Sequence, residues 1–245
     1  MGIGIALSKL IMSPISYNLQ AVRNRIAAGA CAALRDPQTV QLLAVSKTFG
    51  ADAVIEAADA GQRAFGENYL QEAVDKMASI QASRPDLKLE WHFIGPIQSN
   101  KTRPIAEHFD WVHSVDREKI AHRLSEQRPA GLPALNICLQ VNISGEDTKS
   151  GVAPQDVPAV AKAIAGLPNL KLRGLMAIPE PADDVERQRE PFRKLRQLFD
   201  QLNKEGLALD TLSMGMSADM DAAIAEGATI VRVGTAIFGQ RTYAK

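Results

Sequence analysis

Residues 42–48 read Leu42-Leu43-Ala44-Val45-Ser46-Lys47-Thr48, and a helix-like segment, 51–60, follows them. The apolar run reads as a buried strand, and lysine is an unusual way to end one. If the strand lines a barrel or ends an inner sheet, the ammonium points into the fold rather than into water. Burial there disfavours the charged form and makes the amine more nucleophilic. That chemistry suits a Schiff base with an aldehyde. The alternative is a lysine whose stem covers the strand end while its head stays wet. Taken alone, the stretch favours the second reading.

The same strand-then-helix pattern recurs along the chain. Apolar strands are expected at 63–66, 89–94, 111–115, 135–141, 172–178, 212–214 and 229–233. Helical spacing is expected at 68–81, 99–108, 117–127, 154–165, 187–204 and 219–226. A further helix over 15–34 precedes them all, with Ser16 as its N-cap. Strict alternation with room for crossovers implies a parallel sheet, either doubly wound or closed into a barrel. Eight repeats in about 200–250 residues favour the closed form. The expected fold is therefore α/β, a single (β/α)8 TIM barrel with an extra N-terminal helix.

Residues 12–245 are expected to be that single domain. Residues 1–11, MGIGIALSKLI, are mildly apolar but short, contain Lys9 and show no clear cleavage site. They read as an extension ahead of an ordinary start at Met12. Formal net charge over the 245 residues is zero and the pI is about 6.9, so no basic surplus points to nucleic acid or a membrane surface. No run of about 18 apolar residues predicts a membrane span. The two cysteines, Cys31 and Cys138, are far apart and match neither a disulfide framework nor a zinc spacing, so a reducing cytoplasm is expected. The four histidines likewise lack metal-ligand spacing.

In a (β/α)8 barrel the chemistry sits at the C-terminal ends of the strands. Those ends bring forward Lys47, the Gly66-Glu67-Asn68 turn, His92, His113, Asn142, Met176 to Pro179, Ser213 to Ser217, and Arg232 to Thr235. Ser213-Met214-Gly215-Met216-Ser217 and Gly234-Thr235 each place glycine and hydroxyls at the loops where barrels bind phosphate. Two ordinary capped loops would look the same. Arg232 lies inside the apolar strand Thr229-Ile230-Val231-Arg232-Val233 and needs a partner or a ligand. A structural ion pair with Glu67 or another lumen carboxylate is the bland alternative. Lysine, phosphate loops and arginine in one barrel mouth fit pyridoxal 5′-phosphate, which needs an amine for its carbonyl, an anion cradle and a partner for its ring nitrogen. A sugar phosphate in a Schiff-base aldolase fits less completely.

The segments AVSKTF, FGENYLQE, WHFIGPIQSNK, GEDTKSGV, RGLMAIP, LSMGMSADM and VRVGTAIFGQR, in that order, resemble the pyridoxal-phosphate homeostasis protein family, also called the YggS/PROSC family. The resemblance runs from about residue 18 to residue 241. It implies a barrel like the N-terminal domain of alanine racemase. By the same resemblance Lys47 is the Schiff-base lysine, and Ser217, Gly234 and Thr235 bind phosphate with the Met216 backbone beside them. Arg232 stands near the pyridine nitrogen, Asn68 beside the cofactor, and Lys149 matches a family lysine on a loop.

Catalysis is expected to be weak or absent. An arginine beside the ring nitrogen disfavours its protonation and weakens the electron sink. A racemase also needs an acid/base group on the opposite face. In the alanine racemase relatives that group is a tyrosine from a second domain, whereas Tyr17, Tyr69 and Tyr243 lie at no strand end of the seventh or eighth unit. A monomeric cofactor carrier, with apo pyridoxal-phosphate enzymes as transient acceptors, is expected over a racemase or a cofactor-free aldolase. Met214, Met216 and Met220 are expected to be core packing.

Overall fold

Eight short parallel strands close on themselves in sequential order, each paired with its neighbours and the first with the last. This computed structural model describes residues 13–145 and 150–240. The barrel strands are β1 (Gln41–Val45), β2 (Ala64–Glu67), β3 (Glu90–Phe93), β4 (Trp111–Val115), β5 (Leu135–Gln140), β6 (Leu170–Met176), β7 (Thr211–Ser213) and β8 (Ile230–Val233). The helices are α1 (Pro14–Ala32), α2 (Ala51–Asp59), α3 (Leu70–Ser83), α4 (Thr102–His108), α5 (Glu118–Gln127), α6 (Val157–Ala165), α7 (Val185–Lys204), α8 (Met220–Ala225) and the short α9 (Thr235–Phe238). The expected (β/α)8 barrel with a leading helix is therefore present. The proposed extension, residues 1–11, and Lys149 lie outside the described residues.

Two sets of side chains account for closure. Odd positions of β2 and β3 turn outward to meet the helices: Phe65 packs on Trp91, and Phe93 on Phe109. Inside, Leu43, Ala64 and Ile230 pack together, and Trp111, Cys138 and Met176 form a second inner cluster. Burial on both faces explains why the strands read as continuous apolar runs rather than alternating ones. Cys138 is fully buried, and burial pushes its thiol up to about 12, so it behaves as a small apolar group.

Three local expectations change. Helix α1 starts at Pro14, with Ser13 rather than Ser16 as its cap; the Ser16 amide donates to Ser13 Oγ at 3.2 Å. Proline suits the first helical position because its missing N–H has no partner to lose there. Strand β1 ends at Val45, so Lys47 sits in the turn beyond it, where Thr48 takes the left-handed conformation at φ 68°. Asn68 lies in the loop before α3, not inside a helix.

Candidate functional site

Each of the eight strands ends toward the same mouth of the barrel, and one cavity of about 320 Å³ opens there. Lys47, Asn68, Met216, Ser217, Arg232, Gly234 and Thr235, seven residues drawn from the ends of β1, β2, β7 and β8, all line it. Phe49, Ile94 and Ile178 supply apolar walls. Among the described residues, Lys47 and Arg232 are the only ionisable side chains in this lining.

The position of Lys47 is set by its neighbours. Ser46 is fully buried; its Oγ donates to Glu67 Oε1 at 2.6 Å, and its carbonyl accepts from Lys76 Nζ at 2.9 Å. On the other side the Thr48 amide donates to Glu72 Oε1 at 2.6 Å. Both peptide groups flanking Lys47 are thus tied to α3. Lys76 completes the cluster, reaching Glu67 Oε1 at 2.6 Å and Glu72 Oε1 at 3.1 Å. Burial pushes the Glu67 carboxyl up, and Lys76 and Ser46 pull it part of the way back. Sequence reading missed Glu72 and Lys76, which look like an ordinary surface pair four apart on a helix.

Arg232 does not pair with Glu67. Glu67 shares the outward face of β2 with Phe65 and meets α3, whereas Arg232 points into the lumen with Ile230. Its Nη1 donates to the Ser213 carbonyl at 2.7 Å and to Ser213 Oγ at 2.8 Å, and its Nη2 donates to the Ala177 carbonyl at 3.0 Å. Among the described residues no carboxylate lies within ion-pair distance of it. Burial lowers its pKa to about 10, which leaves it charged at neutral pH.

The loop after β7 is held from two sides. Arg25 of α1 donates to the Ser217 carbonyl at 2.8 Å and pairs with Asp221 at 2.8 Å. The Met216 amide, expected beside a phosphate, donates to Asp219 Oδ1 at 2.6 Å. Met214 and Met220 are buried as expected, whereas Met216 is 37% exposed at the cavity. Gly95 fits only as glycine: a Cβ there would run into the Asn68 backbone, which it helps to seat. The Asn68 Oδ1 atom is buried without a hydrogen-bond partner, a polar group that a ligand in the cavity would satisfy.

His92 and His113 are fully buried in the lumen and joined at 2.8 Å. Burial lowers the pKa of both, that of His113 well below the ordinary range. Unfolding restores the ordinary values, so below about pH 6.5 the unfolded chain binds protons that the folded chain refuses. Stability is expected to fall on acidification from about pH 7.5 to 5.5, by at most about 1.4 kcal/mol per pH unit for each histidine. Urea denaturation across that interval measures the slope, and a flat profile would contradict two buried neutral imidazoles.

The family model for the alanine racemase N-terminal domain matches residues 15–242. A protein of Pseudomonas aeruginosa named pyridoxal phosphate homeostasis protein is 66% identical over 232 residues, covering 95% of this chain and 98% of that one. The chain belongs to the pyridoxal phosphate homeostasis protein family. The family member of Escherichia coli K12 is 54% identical over 234 residues, covering 96% of this chain and all, 100%, of its own. PipY of Synechococcus elongatus, solved with pyridoxal phosphate bound, superposes with a TM-score of 0.79 at 38% identity, covering 92% of this chain and 100% of PipY. Alanine racemase of Corynebacterium glutamicum shares the fold, with a TM-score of 0.68 at 20% identity over 93% of this chain and 61% of the racemase. Among the described residues, no group of histidine, cysteine and acidic side chains is arranged to hold a metal ion, and no helix is long and apolar enough to cross a membrane.

Proposed function

We propose that this family member binds pyridoxal 5′-phosphate in the mouth cavity, holds it covalently and reversibly on Lys47, and stores or delivers it without robust catalysis. The observation that carries this reading is the cavity lining: one amine, one guanidinium, two glycine–hydroxyl turns and a partnerless amide oxygen around about 320 Å³. The bound group supplies an aldehyde that condenses with an amine and releases water. Lys47 presents that amine on a turn anchored by α3. Ser217, Gly234 and Thr235 would hold its phosphate through hydroxyls and backbone N–H groups, with the Met216 backbone beside them. Asn68 offers its oxygen to a donor on the ligand. PipY, which binds this group, is close enough in sequence and fold to support the assignment.

Two properties of the lining support the reading of weak catalysis. Arg232 only donates, so a ring nitrogen facing it is held as an unprotonated acceptor, and electron withdrawal into the ring is reduced. Among the described residues, the lining holds no tyrosine, histidine, cysteine or carboxylate to serve as a second acid/base opposite Lys47. A racemase-type enzyme needs that second group. Both cysteines are free and Cys31 is exposed, which suits a reducing cytoplasm.

The test is transfer. Protein loaded with pyridoxal phosphate and freed of excess is mixed with an apo-enzyme that requires the cofactor. Reactivation of the acceptor is expected, with no turnover of D- or L-alanine by the loaded protein alone. Failure to retain any pyridoxal phosphate would overturn the binding reading, and sustained racemisation would overturn the carrier reading.

A further inference from the structure

A chain of hydrogen bonds crosses the barrel lumen from the site to the opposite end. Arg232 Nη1 donates to Ser213 Oγ at 2.8 Å, and Ser213 Oγ lies 2.7 Å from His113 Nδ1. His113 Nε2 lies 2.8 Å from His92 Nδ1, and His92 Nε2 lies 2.8 Å from Glu90 Oε1. Ser213, His113 and His92 are fully buried, whereas the Glu90 side chain, at the first residue of β3, is 42% exposed. One end of the chain therefore touches the cavity and the other touches solvent.

The direction of donation follows from the two ends. A guanidinium only donates, so Ser213 Oγ accepts from Arg232 and has its own proton left to give. His113 Nδ1 is its only other partner among the described residues, and so accepts. A neutral His113 then carries its proton on Nε2 and donates to His92 Nδ1. A neutral His92 in turn carries its proton on Nε2 and donates to the Glu90 carboxylate. Every bond points from the cation toward the anion, the arrangement in which bonds of a chain reinforce one another.

We infer that Ser213 and His113 are positioning residues for Arg232, and that Glu90, acting through His92, sets the direction in which the whole chain donates. Glu90 thereby couples conditions at the opposite, solvent-exposed end of the barrel to the donor that Arg232 presents at the mouth. The inference rests on the reading that pyridoxal phosphate occupies the cavity.

The surroundings hold the rings still. His92 stacks on Trp111 with centroids 5.4 Å apart and planes within 5° of parallel. The guanidinium of Arg173 in β6 lies 4.6 Å from the centroid of the Trp111 ring and is paired with Asp210 at 2.8 Å. From β1, Gln41 donates to Glu90 Oε1 at 3.3 Å. The other charged or titratable groups around the chain are Asp110 before β4, whose charge is felt at His92, Asp219 after β7, whose charge is felt at Arg232, and the Cys138 thiol of β5. The His92 bond holds the Glu90 carboxyl below the usual carboxylate range, so the terminal acceptor stays ionised at neutral pH.

Two measurements test the inference. Nitrogen-15 spectra of labelled protein without cofactor read the histidine tautomers; the chain has four histidines, and single variants assign them. His92 and His113 are expected as neutral Nε2–H forms at pH 7.5. Glu90→Leu removes the terminal acceptor and is expected to mix the tautomers at both rings, whereas Glu90→Gln keeps an acceptor oxygen and restores them. The second measurement is the pyridoxal phosphate dissociation constant and the pH midpoint of the bound absorbance band. Ser213→Ala and Glu90→Leu are each expected to weaken binding about tenfold and to move the midpoint, with Glu90→Gln near wild type. A melting temperature for each variant separates loss of fold from loss of positioning. Tautomers unchanged in Glu90→Leu, or Ser213→Ala binding as tightly as wild type with the same midpoint, would overturn the inference. No binding by wild type would instead overturn the cofactor reading, while the tautomer spectra still report on the chain.

Discussion

Lys47→Ala is expected to abolish the absorbance near the visible that pyridoxal phosphate acquires on this protein, and to turn a complex that survives dialysis into one that does not. Removal of a reversible covalent bond should weaken binding by about a hundredfold or more, equivalent to about 2.7 kcal/mol. The phosphate turns and Arg232 remain, so residual binding should persist with the spectrum of the free aldehyde. Folding should be nearly untouched, within about 0.5 kcal/mol, since Lys47 is half-buried and the turn is held by Ser46 and Thr48. Lys47→Arg separates charge from nucleophilicity: it preserves a cation near the phosphate but not an amine that condenses. Both variants should lose the band, and Lys47→Arg should keep more affinity than Lys47→Ala. A band that survives in either variant would move the covalent site to another lysine.

The barrel was legible in the sequence because its strands are buried on both faces and so read as unbroken apolar runs separated by helical periods. That seven residues would meet in one cavity was legible because such a fold gathers its strand ends at one mouth, and short loops keep those ends close to the sequence pattern. What escaped was whatever depends on side-chain direction. Glu67 looked like a lumen carboxylate for Arg232, but alternation along β2 turns it outward to Lys76, leaving Arg232 to carbonyl and hydroxyl oxygens. Ser213 was read only as part of a phosphate loop, yet it links Arg232 to His113, 100 residues earlier in the chain. Met216 was placed by its loop, whereas its amide is taken by Asp219 three residues on. The Ser213–His113 link joins residues distant in sequence, which no local period encodes, and the face that Glu67 takes depends on a strand register that the apolar run alone does not fix.

Lys76→Met is expected to destabilise the protein more than any other single change discussed here, by about 3–5 kcal/mol, because it leaves a buried carboxylate without its counter-ion. Glu67 has a fully buried side chain, Lys76 is 3% exposed, and the two meet at 2.6 Å. Ser46 would remain as the one donor to Glu67 Oε1, and Oε2 already has no partner. The charge itself is not what the fold requires. Replacing a buried ion pair by apolar or neutral groups of similar size is often close to neutral, so Lys76→Met combined with Glu67→Gln should recover most of the loss. Chemical denaturation of the single and double variants measures the coupling. If the double variant is as unstable as Lys76→Met alone, the bond from Lys76 to the Ser46 carbonyl, not neutralisation of Glu67, is what holds the turn. Binding adds a second discrimination. Even where the double variant regains stability, it lacks the Lys76 bond to Ser46 next to Lys47, so the condensation at Lys47 should form more slowly than in the wild type while the final absorbance is preserved.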